Sequence, residues 1–190
     1  VSLNGFAGVG KTFVTSKLVK EFLARDYKIL LVSPTHKALA VARYMLNAQD
    51  IRINLRTLHS YLDISLHTDY LDGTKSWKRA RDKGQLDYEK NLDILIVDES
   101  SMVDNELFGF LEENLAQHKL KSILFIGDRY QLPPVSNENE ENAVIHLSKQ
   151  HTLREVVRQA QDSYVKQIAI ELKNCIESKD YLPLTQIFNT

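Results

Sequence analysis

The sequence lacks several features that would mark a secreted, membrane-spanning or strongly basic protein. Its single cysteine, Cys175, cannot form an internal disulfide, which suits a reducing, cytoplasmic setting. Its formal net charge is −1, so no overall positive field attracts polyanions, and any nucleic-acid site must be a local patch. No apolar run approaches the roughly 20 residues that cross a bilayer. An intracellular globular protein is therefore the expected class.

Glycine is also scarce, and its distribution is informative. The chain has 190 residues, 43% hydrophobic and 26% charged, which is enough for one substantial core. Three of its seven glycines lie between residues 5 and 10, directly after Val1-Ser2-Leu3-Asn4, which looks like the end of a strand. Because the strand that enters such a loop is usually central in its sheet, we expect the chain to be a fragment of a longer protein.

Short apolar runs alternate with amphipathic segments along the chain. Strands are predicted at 28–33, 92–97 and 122–126, a weaker one at 51–55, a short element at 152–158, and helices at 11–25, after Thr35, at 104–118 and at 162–178. Residues 65–91 break this rhythm, and Asp72-Gly73 is a hairpin-turn signal. The pattern predicts an α/β fold with a doubly wound, mainly parallel sheet, helices on both faces and a small inserted hairpin.

Residues 5–12, with the sequence GFAGVGKT, match the P-loop pattern of nucleotide-binding proteins. Glycines let the backbone turn tightly and bring its N–H groups against phosphate oxygens. The lysine would reach the β- and γ-phosphates, and the threonine hydroxyl would bind Mg²⁺. The alternative is a glycine-rich turn with a stray lysine. We assign nucleotide binding to these seven residues: Gly5, Gly8, Val9, Gly10, Lys11, Thr12 and Phe13.

Asp98-Glu99 follows the buried run Ile94-Leu95-Ile96-Val97, which is a Walker B pattern. Asp98 would hold Mg²⁺ through its water shell, and Glu99 would orient and deprotonate the attacking water. The alternative is a pair of solvated carboxylates at a strand end. Since transfer to a substrate hydroxyl needs no water activator, Glu99 argues for hydrolysis and against a small-molecule kinase.

Two further polar residues are candidates for the same reaction. Gln131 follows Gly127-Asp128 by three residues and could hydrogen-bond a γ-phosphate or the attacking water; otherwise it is a turn glutamine. Arg158 could stabilise charge in the transition state; judged by composition alone, it is a surface arginine.

Two hydroxyl-rich stretches, 33–37 and 57–60, also follow predicted strands. Hydroxyls, a lysine and backbone N–H groups suit phosphodiester oxygens, so these stretches could contact nucleic acid. Aromatic side chains could stack on bases beside a basic cluster around Trp77, although capping and local core packing are equally open readings. The residues concerned are Pro34, Thr35, His36, Lys37, Thr57 and His59, with the aromatics Tyr61, Tyr70, Trp77 and Tyr88 and the cluster Lys75, Lys78, Arg79, Arg81 and Lys83.

Six blocks taken in order carry a family resemblance: GFAGVGKT, SPTHKA, TLHS, VDESSMVD, GDRYQLPPV and LREVVRQ. They are similar to helicase motifs I, Ia, Ib, II, III and IV. The set resembles the superfamily 1B DNA helicases, the RecD-like and Dda-like group, over nearly the whole chain.

The resemblance implies a RecA-like first motor domain that uses Mg-ATP and translocates 5′ to 3′ on single-stranded or forked DNA. Lys11 and Thr12 would bind the phosphates, Asp98 the metal, Glu99 would be the base, Gln131 a γ-phosphate sensor and Arg158 an arginine finger. Pro34, Thr35, His36, Thr57 and His59 would lie on the DNA path, and 65–91 would carry the pin that splits the duplex.

The sequence departs from the family's pattern in two ways. The family's adenine-recognising segment and its second RecA-like domain are absent from these residues. We expect a monomeric motor whose isolated first domain hydrolyses ATP weakly. The alternative is an ATP-dependent nucleic-acid-binding switch module that unwinds nothing.

Overall fold

The computed structural model describes residues 1–6, 8–71, 73–79, 91–117 and 120–128, and further on residues 144, 147, 149–153, 174 and 178. Eight strands are present in this part of the chain: β1 (Ser2–Gly5), β2 (Ile29–Ser33), β3 (Asn54–Thr57), β4 (Ile64–Thr68), β5 (Lys75–Arg79), β6 (Ile94–Asp98), β7 (Ser122–Gly127) and β8 (Gln150–Leu153). The helices are α1 (Lys11–Ala24), α2 (His36–Asn47), α3 (Leu58–Leu62) and α4 (Asn105–Gln117). None of these described helices has the length and apolarity needed to cross a bilayer.

Six strands form one sheet in the order β3-β2-β6-β7-β1-β8, and every pairing in it is parallel. The predicted strand after the first helix is β2, all five residues of which are buried. Successive side chains of a strand point to opposite faces of the sheet, so such a strand has an apolar residue for both faces. The predicted parallel α/β fold is confirmed.

Helices cover both faces of the sheet. On one face, Leu30 and Val32 of β2 belong to a core that includes buried side chains of α3 and α4. On the other face, Leu31 belongs to a second core, with Val19 of α1 and Leu39 of α2. The alternation along one buried strand therefore divides the interior into two layers, as a doubly wound sheet requires.

The strand boundaries differ most from the sequence prediction at β3 and β8, while those of β2, β6 and β7 differ by one or two residues. β3 begins at Asn54 and not at Ile51, because Ile51 closes the end of α2: its N–H donates to Leu46 at 2.9 Å and its side chain is buried. The element predicted at 152–158 is an edge strand, β8, which pairs with β1 from Gln150 to Leu153. Residues 154–158 and most of the predicted helix 162–178 lie outside the described residues.

The predicted hairpin is confirmed in the strands β4 and β5, which pair antiparallel from Ile64 with Arg79 to Thr68 with Lys75. Gly73 in the turn has φ +75°, a conformation that favours glycine. Polar contacts hold the hairpin against α4. Arg79 pairs with Glu113 at 2.9 Å, and the Trp77 N–H donates to Glu106 at 3.2 Å.

Candidate functional site

The polar motifs meet at one edge of the sheet. Because the six strands are parallel, the carboxyl ends of β1, β2, β3, β6 and β7 all lie on the same side. The P-loop follows β1, Thr35 follows β2, Thr57 ends β3, Asp98 ends β6 and Asp128 follows β7. Open α/β sheets bind ligands at this edge. The sequence prediction that these motifs share one edge is confirmed for the described residues.

The P-loop geometry requires its glycines. Gly8 has φ +86° and Gly10 has φ +82°, the left-handed region that other residues rarely adopt. A Cβ atom on Gly5 would lie 2.6 Å from Cγ2 of Val9 and 3.2 Å from Cβ of Leu153. α1 begins directly after this loop, at Lys11, so the first unpaired N–H groups of a 14-residue helix face the loop. The cradle suits an anion at the head of α1.

Lys11 is held inside the loop. Its Nζ donates to the Gly5 carbonyl at 2.7 Å and lies 3.8 Å from the carboxylate of Asp128, whose side chain is 3% exposed. The ammonium is therefore poised beside the cradle. The sequence analysis assigned no role to Asp128. Asp128 comes directly after β7, just as Asp98 ends β6, and this similar position at a strand end could have marked Asp128 as a candidate site residue.

The two Walker B carboxylates lie in different environments. Burial and, to a smaller extent, the charge of Glu99 raise the pKa of Asp98 to about 6. Two interactions oppose this rise: the Glu99 N–H donates to Asp98 Oδ1 at 3.0 Å, and the charge of Lys11 favours the carboxylate. Glu99 itself has φ +52°, a strained conformation of the kind that recurs at functional sites. Its buried Oε2 has no hydrogen-bond partner among the described residues. Glu99 can therefore accept a hydrogen bond from a bound water.

A cavity of about 380 Å³ joins these parts. Its walls come from the P-loop, the start of α1, the first half of α2 and the turn after β6, namely Gly8, Gly10, Lys11, Thr12, Thr35, Lys37, Ala38, Val41, Ala42, Asp98, Glu99 and Met102. Phe13, also predicted to bind nucleotide, is 55% exposed beside Lys17 and does not line this cavity. Mg²⁺ typically takes one or two protein oxygens together with phosphates and water, and Thr12 and Asp98 supply that kind of donor set.

The raised pKa of Asp98 predicts a pH-dependent effect of Asp98→Asn. Between about pH 4 and pH 6 the folded carboxyl keeps a proton that the unfolded chain has lost, so this group lowers stability as pH rises. Asparagine removes that penalty and keeps the acceptor for the Glu99 N–H. We expect the nucleotide-free variant to be more stable than the parent by roughly 3 kcal/mol at pH 7.5. Urea denaturation should show the gain shrinking towards pH 4, with the exposed Glu112→Gln as control. A gain that is equal at both pH values would contradict the assignment.

Gly127, at the end of β7, sets the position of the Walker B turn. An added Cβ would lie 2.5 Å from the Ser100 Oγ and 3.1 Å from the Ser101 backbone nitrogen, directly after Glu99. We expect Gly127→Ala to destabilise the fold by roughly 1–3 kcal/mol and to slow hydrolysis. Gly109→Ala in α4 is the matched control, because nothing lies within 4 Å of its added Cβ. The control should be neutral or stabilising by about 0.5–1 kcal/mol in thermal unfolding. Equal effects of the two changes would contradict this account.

The candidate nucleic-acid contacts cap two helices. Thr35 accepts from the Ala38 N–H and Thr57 from the Ser60 N–H, each at 3.2 Å, so the hydroxyl protons stay available to donate. His59 lies against Trp77, with ring centroids 4.4 Å apart, and burial lowers its pKa while the charge of Asp104 opposes this. Burial therefore favours the uncharged imidazole.

Among the aromatic candidates, Tyr61 has a structural role. It is buried, and its hydroxyl donates to Asn114 at 2.6 Å, so the proposed stacking on a base is wrong for this residue. Tyr70 is 95% exposed at the hairpin and Trp77 is partly buried against the core. Gln131 and Arg158 lie outside the described residues, as do Tyr88, Arg81 and Lys83, so their predicted roles stay predictions.

The family described as "AAA domain" matches residues 1–178. The ATP-dependent DNA helicase Pif1 of Campylobacter jejuni is 32% identical over 152 residues, which is 77% of this chain and 31% of that protein. An uncharacterized protein of Methanocaldococcus jannaschii is 38% identical over 136 residues, 70% of this chain and 11% of that protein. The chain thus spans less than a third of the length of these curated relatives.

Among solved structures, a Pif1 helicase from Bacteroides superposes on this chain with a TM-score of 0.60. The two are 20% identical, and the match covers 87% of this chain and 40% of that one. At this level of identity the likeness concerns the fold. It agrees with the parallel α/β sheet described for this chain.

Proposed function

Because this chain belongs to the AAA domain family, with the RecA-like motor fold of superfamily 1B helicases, we propose that it binds and hydrolyses Mg-ATP as the first motor domain of a DNA helicase. The family match over residues 1–178 and the helicase relatives confirm the resemblance carried by the six ordered motifs. The observation that carries the proposal is that Lys11, Thr12, Asp98 and Glu99 all line one cavity of about 380 Å³.

The P-loop binds and orients the phosphates. Its glycine turns and the first N–H groups of α1 receive phosphate oxygens, and Lys11 exchanges the Gly5 carbonyl for the β- and γ-phosphates. Thr12 and Asp98 would hold Mg²⁺, which supplies positive charge against the phosphate oxygens. In the nucleotide-free protein, burial favours the protonated form of Asp98 below about pH 6, and a bound Mg²⁺ would favour its carboxylate form.

Glu99 orients the attacking water and takes its proton. The buried Oε2 without a partner among the described residues is the acceptor for that water. We propose that Gln131 senses the γ-phosphate and that Arg158 stabilises the transition state, as the family resemblance implies. Fixed dipoles and charges of this kind stabilise developing charge without having to reorganise.

DNA is the proposed second ligand, and we propose that the protein acts on it inside the cell. The curated relatives include proteins named as ATP-dependent DNA helicases from Campylobacter jejuni and Saccharomyces cerevisiae. In this chain Pro34, Thr35 and His36 follow β2, Thr57 ends the neighbouring strand β3 and His59 follows it, so both groups lie at the same sheet edge. We call these five residues the strand-end line. We propose that this line contacts the backbone of a single strand, in a motor that works as a monomer and moves 5′ to 3′.

We also propose that the chain is one domain of a longer protein, with a small insertion at 65–91 and a second RecA-like domain closing over the cavity. The support is that the chain spans 31% of its Campylobacter relative. Helicases convert ATP binding and hydrolysis into movement by opening and closing the cleft between two such domains.

The experiment is unwinding by the full-length protein on forked DNA carrying only a 5′ tail or only a 3′ tail. We expect ATP-dependent strand separation with the 5′-tailed substrate and none with the 3′-tailed one. Unwinding from the 3′ tail alone would contradict the polarity. ATP hydrolysis stimulated by single-stranded DNA, but without any unwinding, would instead identify a nucleic-acid-dependent switch.

A further inference from the structure

The cavity at the sheet edge contains a second lysine that the proposed mechanism does not use. Lys37 lies in the first turn of α2 and lines the cavity together with Lys11, Asp98 and Glu99. The sequence placed it among the DNA contacts, because it follows the hydroxyl-rich stretch after β2. The structure places it on the wall of the nucleotide cavity.

The position of Lys37 is fixed by the helix that carries it. Thr35 caps α2 by accepting the Ala38 N–H, and Leu39, Ala42 and Leu46 anchor the helix in the core. The first turn of α2 is therefore held at the cavity mouth independently of any ligand. A lysine has a flexible four-carbon stem, so its ammonium on that turn can reorient within the cavity.

The ammonium of Lys37 is available. Its side chain is exposed, and in the described part of the chain no ion pair or hydrogen bond holds it. Lys11, by contrast, is bonded to the Gly5 carbonyl and lies 3.8 Å from Asp128. A triphosphate carries more negative charge than one lysine balances, and part of the positive field of Lys11 is already offset by Asp128. The cavity thus has one lysine inside the cradle and one unpaired lysine at its rim.

We propose that Lys37 contacts the terminal phosphate of the bound nucleoside triphosphate and so distinguishes triphosphate from diphosphate. The inference rests on the proposed function, since it takes the cavity to be the ATP site. In P-loop proteins the loop cradles the β- and γ-phosphates. In the proposed mechanism the γ-phosphate would lie next to the water that Glu99 activates. Glu99 and Lys37 line the same cavity, so the lysine shares that cavity with the group at which charge changes during the reaction.

A phosphate group could also come from a DNA strand, and the test separates the two sources. Mg-ATPγS and Mg-ADP are titrated by calorimetry without DNA, and a fluorescent oligo-dT is titrated by anisotropy without nucleotide. The variants are Lys37→Ala and Lys37→Arg, with Arg43→Ala as control, because Arg43 is an exposed cation on the same helix that does not line the cavity. Thermal unfolding of each variant without ligand checks that the fold is intact.

We expect Lys37→Ala to weaken Mg-ATPγS binding about tenfold, the effect of losing one hydrogen bond to a charged group. Mg-ADP and oligo-dT binding should stay unchanged, Lys37→Arg should restore most of the affinity, and Arg43→Ala should match the parent. Weaker oligo-dT binding with an unchanged preference for ATPγS over ADP would identify a DNA contact and overturn the inference. Unchanged binding of all three ligands would overturn it as well. If the parent protein binds no ATPγS, the proposed ATP-binding function itself is contradicted. This result differs from those that would overturn only the role of Lys37, in which the parent protein binds ATPγS.

Discussion

Replacing Lys11 by alanine should abolish DNA-stimulated ATP hydrolysis by the full-length protein. Lys11 is the one described lysine inside the P-loop, where its Nζ lies 2.7 Å from the Gly5 carbonyl. Its ammonium should follow the charge that develops between the β- and γ-phosphates. Removing one preorganised donor of this kind typically lowers kcat by about 10²–10³-fold. We expect a loss of at least that size, with weaker nucleotide binding as well.

The matched control is Lys20→Ala. Lys20 lies on the same helix, is exposed, and does not line the cavity. ATP turnover is measured with and without single-stranded DNA at saturating nucleotide. Normal turnover by Lys11→Ala would show that the loop is a glycine turn with a stray lysine, which would remove the basis of the assignment. An equal loss in Lys20→Ala would point to a general loss of helix stability.

Glu99→Gln should separate ATP binding from ATP hydrolysis. Glutamine keeps the size of the side chain and can still accept a hydrogen bond from water, but it cannot take the proton. General-base catalysis is typically worth about 10²–10⁴-fold, so a fall in kcat of that order is expected. Mg-ATPγS affinity should change little or rise, because one negative charge beside the phosphates is lost. Removing this charge should also lower the pKa of Asp98, since the charge of Glu99 raises it.

The control for this change is Glu112→Gln, an exposed carboxylate on α4 away from the cavity. Single-turnover hydrolysis and equilibrium nucleotide binding are measured on the same samples. Normal hydrolysis by Glu99→Gln would mean that another group is the base. Loss of binding together with hydrolysis would mean that the carboxylate has a structural role in the turn after β6.

Much of the site could be predicted from the sequence because strand ends and glycines leave local signals. The buried apolar run before Asp98 predicts that this carboxylate lies at a strand end, and the spacing of Gly5, Gly8 and Gly10 predicts the phosphate-binding loop. In a parallel sheet, every strand end then shares one edge, which follows from topology alone.

Other features depend on contacts between distant parts of the chain. The burial of Asp128 beside Lys11 follows from the neighbouring strands β1 and β7, and the sequence does not show that adjacency. The sequence suggests that Tyr61 is an aromatic available for stacking, because its hydrogen bond with Asn114, 53 positions away, is visible only in the structure. Lys37 reads as a DNA contact because it follows a hydroxyl-rich stretch, and only the path of α2 brings it to the nucleotide cavity.

The central claim is that the cavity between the P-loop and α2 is a nucleoside triphosphate site. Calorimetric titration of the 190-residue chain with Mg-ATPγS tests it most directly, in parallel with Lys11→Ala and Lys20→Ala. We predict saturable binding of one nucleotide per chain, which Lys11→Ala removes and Lys20→Ala retains. Absence of binding by the parent chain, or equal binding by Lys11→Ala, would contradict the account.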